Sequence, residues 1–143
     1  MKPVIRVVGL GPGDADLMTR RTFDLLREAS VVRLRTRVHP AADAFDDVVS
    51  YDDLYERADS FEALYEAIVS DLVELSRHAP GGEVVYAVPG SPVVAERTVE
   101  LLIARDDVTT VLEPAVSVID VACAAMARRC AGGKRQPRDA VAR

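Results

Sequence analysis

The chain is expected to fold as an α/β protein: a mostly parallel sheet of about five strands with helices on both faces. Three observations carry that expectation. Short runs at 4–8, 31–34, 48–51, 83–88 and 108–112 are apolar almost throughout rather than alternating, as strands buried on both faces require. Stretches with apolar residues at spacings of three and four lie between most of them. Two turns rich in glycine and proline, Gly9-Leu10-Gly11-Pro12-Gly13-Asp14 and Pro89-Gly90-Ser91-Pro92, each stand between such a run and such a stretch.

In chain order, residues 4–8 form the first strand. Asp16 is the expected N-cap of a helix reaching about Ala29, with Leu17, Met18, Phe23, Leu25 and Leu26 on its apolar side. Residues 31–34 give a second strand, and 35–47 a loop broken by Pro40. A third strand at 48–51 precedes an acidic stretch, Asp52-Asp53-Leu54-Tyr55-Glu56. Ser60 opens the clearest helix, in which Phe61, Leu64, Ile68, Leu72 and Leu75 recur at helical spacing until Pro80-Gly81-Gly82 stops it. The strand at 83–88 leads through the second turn to a helix from about Val93 to Ala104, with Glu96, Arg97 and Glu100 on its polar side. The strand at 108–112 and Pro114-Ala115-Val116-Ser117 lead to a last helix from about Val118 to Arg129. An α/β domain is therefore expected over 1–129, and a basic, disordered tail over 130–143.

Composition narrows the function. The 143 residues are 49% apolar, enough for a core, and Trp is absent, so Val, Leu and Ala must build it. No run approaches the roughly 20 apolar residues of a membrane span, and charges interrupt every apolar stretch before Ala29, so no signal peptide is read and a cytoplasmic setting is expected. Of the net charge of −5, residues 128–143 hold +5 and the remainder −10, and so acidic a body argues against nucleic acid as a partner. Cys123 and Cys130 lie about 10 Å apart along one helix, too far for a disulfide; outside any Cys/His cluster, they are expected to be small buried hydrophobes, and no metal site is expected. His39 and His78 stand in polar, loop-like surroundings and are expected to be exposed.

Ligands of open α/β sheets bind beyond the carboxyl ends of the strands. Both glycine turns, and Pro114 to Ser117, should therefore share one edge, where backbone amides could hold a ligand carrying carboxylate and hydroxyl groups. The first turn is GxGxG rather than GxGxxG, so a dinucleotide fingerprint is weak, and no GxxxxGK[ST] is present. On the local motif alone, a tight turn capped by Asp14 or Asp16 and a ligand loop explain it equally. Ser91 has no GxSxG context and no nucleophile–base pair is visible. The acids at 46–47, 52–53 and 106–107 read as solvated turns.

Together these segments resemble the S-adenosylmethionine-dependent tetrapyrrole (precorrin/uroporphyrin) methylases. The family's VGxGPGDxxLLT motif is similar to Val8-Gly9-Leu10-Gly11-Pro12-Gly13-Asp14-Ala15-Asp16-Leu17-Met18-Thr19. Its GDP motif is matched by Tyr86-Ala87-Val88-Pro89-Gly90-Ser91-Pro92, with Ser91 in place of the aspartate, and its PGxSS-like motif by Pro114 to Ser117. The wording resembles most the methylase-like domain joined to MazG-type nucleoside triphosphate pyrophosphohydrolases. The resemblance implies an S-adenosyl-L-methionine cofactor held by Gly11, Gly13, Pro89, Gly90, Ser91, Val94, Ser117 and Val118. It implies that Asp14, with Gly11, faces a small-molecule acceptor such as a tetrapyrrole, Asp14 being the catalytic candidate. It also implies a homodimer. Methyl transfer leans on alignment rather than acid–base chemistry, since the sulfonium is already a good leaving centre. The family's second α/β half has no counterpart in 130–143, so weak cofactor binding is expected of this chain alone. The alternative reading is a non-catalytic binding or regulatory module beside a MazG-type pyrophosphohydrolase. The last helix, with Val118, Ile119, Val121, Ala122, Ala125 and Met126 in a broad apolar stripe, is the expected self-association surface.

Overall fold

A computed structural model describes the backbone of residues 1–133 and the side chains of residues 1–127. The strands are β1 (Val4–Gly9), β2 (Val32–Leu34), β3 (Val49–Ser50), β4 (Glu83–Val88) and β5 (Thr109–Leu112). They form one sheet in the order β3-β2-β4-β1-β5, and every pairing is parallel. The helices are α1 (Arg20–Glu28), α2 (Asp52–Arg57), α3 (Phe61–His78), α4 (Arg97–Ile103) and α5 (Val118–Gly133). The expected five-stranded α/β architecture is the one observed.

Alternate residues of the central strands feed two separate cores. Ile5 and Val7 of β1 and Val84, Tyr86 and Val88 of β4 pack with Leu64, Ile68 and Leu72 of α3 and Val99 and Leu102 of α4. On the other face, Val8, Val85 and Ala87 pack with Met18, with Leu26 of α1, and with Ala41, Ala42 and Phe45. Apart from the ion-paired Arg6 and Glu83, both faces of β1 and β4 are thus dry, which is why those segments read as almost wholly apolar runs. Each Leu or Ile fully buried this way contributes about 1.5–3 kcal/mol. Ser60 caps α3 as expected, its hydroxyl accepting from the Ala63 amide at 3.1 Å.

Several boundaries differ from the expected ones. The N-cap of α1 is Thr19, whose hydroxyl accepts from the Thr22 amide at 3.1 Å. Asp16 instead lies in a single 3-10 turn, Ala15–Leu17, capped by Asp14. Within the loop expected at 35–47, Pro40–Ala44 winds into another 3-10 turn that buries Ala41 and Ala42. The acidic stretch after β3 is the helix α2. Asp52 is no solvated turn residue: it accepts from the Thr36 hydroxyl at 2.6 Å, the Arg37 amide at 2.8 Å and the Ser50 hydroxyl at 2.8 Å. Burial alone would raise its carboxyl, but these donors outweigh it and hold the group below the usual carboxylate range. Asp107 is likewise paired, with Arg105 at 2.7 Å and Arg77 at 2.9 Å.

The start of α4 is also late. It begins at Arg97, not Val93, because Ala95 takes a left-handed backbone with φ of 53°. At the far end, α5 continues past the expected stop at Arg129 to Gly133. Its apolar stripe does not pack on the sheet: Val118, Ile119, Val121 and Met126 are 44–62% exposed. Cys123 is exposed as well, contrary to the expectation of a buried thiol. The expected disordered tail lies, from residue 134 onward, outside the described residues. Among the described residues no helix is long and apolar enough to cross a membrane.

Candidate functional site

The order β3-β2-β4-β1-β5 places a topological switch point between β1 and β4. From β1 the chain crosses to β2 on one side; from β4 it crosses over β1 to β5 on the other. Loops leaving a switch point at the carboxyl edge diverge and leave a crevice. Here that crevice is a cleft of about 380 Å³ whose walls include Gly11, Pro12, Arg35, His39, Pro89, Gly90 and Ser91. Val94, Ala95, Glu96, Ser117 and Val118 complete it.

The two glycine turns are bonded to one another. The Gly11 amide donates to the Gly90 carbonyl at 3.1 Å, and the Gly90 amide donates to the Gly11 carbonyl at 2.9 Å. Both residues have left-handed backbones, with φ of 78° and 64°, which glycine adopts without penalty. Their amides are thereby consumed by each other and are not ligand donors. Just before them, Gly9 lets three loops meet: a Cβ there would stand 2.3 Å from the Gly90 carbonyl oxygen and 2.6 Å from the Ala115 Cβ. At Gly90, by contrast, a Cβ would meet nothing within 4 Å, so bare backbone forms the cleft wall. The loop after β5 is fastened by Glu113, whose amide donates to the Val7 carbonyl at 2.9 Å. Its carboxylate pairs with Arg6 at 2.7 Å and Arg21 at 3.4 Å.

Of the residues singled out from sequence, Gly11, Pro89, Gly90, Ser91, Val94, Ser117 and Val118 come together around the cleft. Gly13 and Asp14 are not among its lining residues. Asp14 is exposed, and its carboxylate accepts from the Asp16 amide at 3.1 Å as a turn cap. Ser117 also caps: its amide donates to Asp120 Oδ2 at 2.8 Å and its hydroxyl accepts from the Ile119 amide at 3.1 Å. It shapes the cleft through backbone and packing, with its polar groups already engaged.

The cleft also contains polar residues that sequence reasoning missed. Glu96, expected on a polar helix face, is only 6% exposed and receives Arg35 Nη1 at 2.9 and 2.8 Å on its two oxygens. Burial raises its pKa, partly offset by Arg35 and by a hydrogen bond from Thr98. His39, expected to be exposed, is half-buried. Its Nδ1 accepts from the Ala41 amide at 3.1 Å, so the ring proton lies on Nε2, which donates to the Gly11 carbonyl at 2.9 Å. Both ring nitrogens are thus occupied: Nδ1 caps the Pro40–Ala44 turn and Nε2 holds the first glycine turn. Among the described residues, no group of three or more His, Cys, Asp or Glu side chains could hold a metal ion.

Residues 4–137 match the model of the Tetrapyrrole (Corrin/Porphyrin) Methylases. The chain belongs to the tetrapyrrole methylase family. Protein YabN of Bacillus subtilis (strain 168) is 44% identical to this tetrapyrrole methylase-family chain over 107 residues, which is 72% of the chain and 21% of YabN. A precorrin-6Y methylase (cbiE) from Archaeoglobus fulgidus superposes with a TM-score of 0.60 at 24% identity, over 87% of this chain and 58% of that one. A uroporphyrin-III C-methyl transferase from Thermus thermophilus, complexed with S-adenyl homocysteine, superposes with a TM-score of 0.58 at 24% identity. That match covers 83% of this chain and 51% of the transferase. The tetrapyrrole methylase-family chain thus spans about a fifth of YabN and little more than half of each of these solved structures.

Proposed function

We propose that the cleft at the β1–β4 switch point is the S-adenosylmethionine side of a methyltransferase-like site. The observation that carries the reading is the convergence of the three family-like loops on one cleft with a bare glycine wall. The residues present fit such a group. Gly90 leaves open space where any side chain would stand, Val94 and Val118 supply apolar contact, and Ser91 is a buried hydroxyl residue at the rim. When bound, the cofactor would supply a methyl group on a sulfonium, and the protein's part would be to align donor and acceptor. The acceptor is proposed to be a small molecule, such as a tetrapyrrole. Asp14, held as a turn cap, contributes to loop shape rather than to proton transfer in this arrangement.

Titration with S-adenosylhomocysteine, followed by backbone amide NMR, tests the reading. Good sites bury most of their ligand, and this cleft is open, so a millimolar dissociation constant is expected. The shifts should centre on Ser91, Val94 and Val118. Absence of shifts at those residues, or shifts centred elsewhere, would overturn it. One observation favours the alternative of a non-catalytic binding module associated with a MazG-type pyrophosphohydrolase: Ser91 stands where the family motif carries aspartate. That module would bind S-adenosylhomocysteine yet transfer no methyl group.

We further propose that two copies pair through α5. Val118, Ile119, Val121 and Met126 are left exposed on one helix, and a two-fold pairing covers the same stripe on both chains. Light scattering should show a mass rising with concentration, and Val121→Glu should abolish the rise. A constant monomeric mass at high concentration would rule the pairing out.

A further inference from the structure

We propose that Arg35 recognises an oxyanion of the ligand, a carboxylate or a phosphate, through the Nε–Nη2 edge of its guanidinium. The inference rests on the cleft being a ligand site, as proposed above, and names a chemical feature its ligand must carry. Arg35 follows β2 directly and is tied to the sheet by its amide, which donates to the Ala87 carbonyl at 2.9 Å. This brings its side chain to the same carboxyl edge as the glycine turns. There, Nη1 alone makes the ion pair: it donates to Glu96 Oε1 at 2.9 Å and to Oε2 at 2.8 Å. Glu96 is in turn placed by the left-handed Ala95 before it and by Thr98 Oγ1, which donates to Oε1 at 3.3 Å. The carboxylate therefore grips the guanidinium by one nitrogen.

A guanidinium is planar, and its donors form forks of fixed geometry. Pinning Nη1 fixes the direction of the opposite fork, the parallel N–H groups of Nε and Nη2. Among the described residues, Nε is buried with no hydrogen-bond partner. Buried donors are nearly always satisfied, and one left without a partner in a side chain that lines the cleft is the mark of a missing acceptor. Two parallel donors with no acceptor match the two oxygens of a carboxylate or phosphate. The neighbouring polar residue, His39, offers no competing acceptor, since Nδ1 is taken by Ala41 and Nε2 by Gly11. Glu96 thus acts as a positioning residue: it holds Arg35 at the cleft by Nη1 and leaves the Nε–Nη2 edge without an acceptor among the described residues.

The experiment uses the whole chain labelled with 15N-arginine. The Arg35 Nε–H resonance is assigned by its loss in Arg35→Lys, which keeps the positive charge and removes the fork. Succinate and inorganic phosphate are titrated separately. The Nε–H resonance should move saturably with at least one of them. Binding by Arg35→Lys, read on the Gly90 and Ser91 amides, should weaken at least about tenfold, the loss expected of a charge-assisted fork. A response to succinate alone identifies a carboxylate ligand, a response to phosphate alone a phosphate ligand, and a response to both recognition of any oxyanion. No movement with either probe, or equal affinity in Arg35→Lys, overturns the proposal; if the variant does not fold, the wild-type titration decides. Parallel titration with S-adenosylhomocysteine separates the two readings. Shifts at Val94 and Val118 with an inert Arg35 remove only this inference, and the reverse removes only the methyltransferase reading.

Discussion

Gly9→Ala should destabilise the protein by about 3 kcal/mol and disorder the cleft, the upper end of what overpacking a well-filled site costs. The added methyl would lie 2.3 Å from the Gly90 carbonyl oxygen and 2.6 Å from the Ala115 Cβ, closer than either can stand. The carbonyl belongs to the backbone pair that joins the two glycine turns, so it cannot retreat without breaking that pair. The Ala115 methyl is fixed in the loop held by Glu113. Urea unfolding should show a lower midpoint with an unchanged slope. Gly90→Ala is the control: the same methyl there meets no atom within 4 Å and should cost only the left-handed penalty, about 1 kcal/mol. Equal stability losses in the two variants would overturn the close approach as the reason for glycine at position 9.

Arg35→Met should cost about 3 kcal/mol at neutral pH, because it leaves the Glu96 carboxylate buried without its partner. The side chain of Glu96 is 5% exposed, so water cannot replace Arg35 there. The loss should depend on pH with a definite sign. Burial already raises the folded pKa of Glu96 above its unfolded value, and removing Arg35 raises it further. A group whose folded pKa is raised binds its proton more tightly in the native state. Its contribution to stability is present in full below the unfolded value and falls as pH rises through the folded one. The gap between Arg35→Met and wild type should therefore narrow as pH is lowered from 7 toward the ordinary carboxylate range. Thermal or urea unfolding across that range is the measurement, and a gap that does not change with pH would show that Glu96 does not carry the charge.

The parts of the fold legible in sequence were those with a physical reason to be written locally. β1 and β4 are largely buried on both faces, so Val4 to Val8, Arg6 excepted, and Val84 to Val88 had to be apolar without alternation. Gly11 and Gly90 need left-handed backbones, and so those positions announce themselves. The helix starts were less legible because three good caps crowd one turn: Asp14, Asp16 and Thr19 all favour it. Only tertiary packing decides that Asp14 holds a 3-10 turn and Thr19 begins α1. Val93, just after Pro92, reads as the start of a helix, and nothing local warns that Ala95 turns left-handed.

The Arg35–Glu96 pair was invisible for the same reason. The partners lie 61 positions apart, and a charged residue in an amphipathic stretch is normally on the wet side. The one available signal was position: Arg35 sits immediately after a strand, on the edge where ligands bind. His39 gave less still, since its role depends on a carbonyl 28 residues away. Gly13 and Asp14 show the converse. The motif that contains them is specific, yet only its first part, Gly11 and Pro12, reaches the cleft wall.

The paired amides of Gly11 and Gly90 also bear on how the cleft can respond to a guest. Two turns that are 79 positions apart in the chain form a single stapled floor, steadied from the side by His39. Neither can flap without the other, so the freedom of both is surrendered when the chain folds and not when a ligand arrives. Binding at this floor is preorganised, and adaptation to differently shaped guests must come from the opposite wall, where Val93 to Ala95 form an irregular stretch before α4.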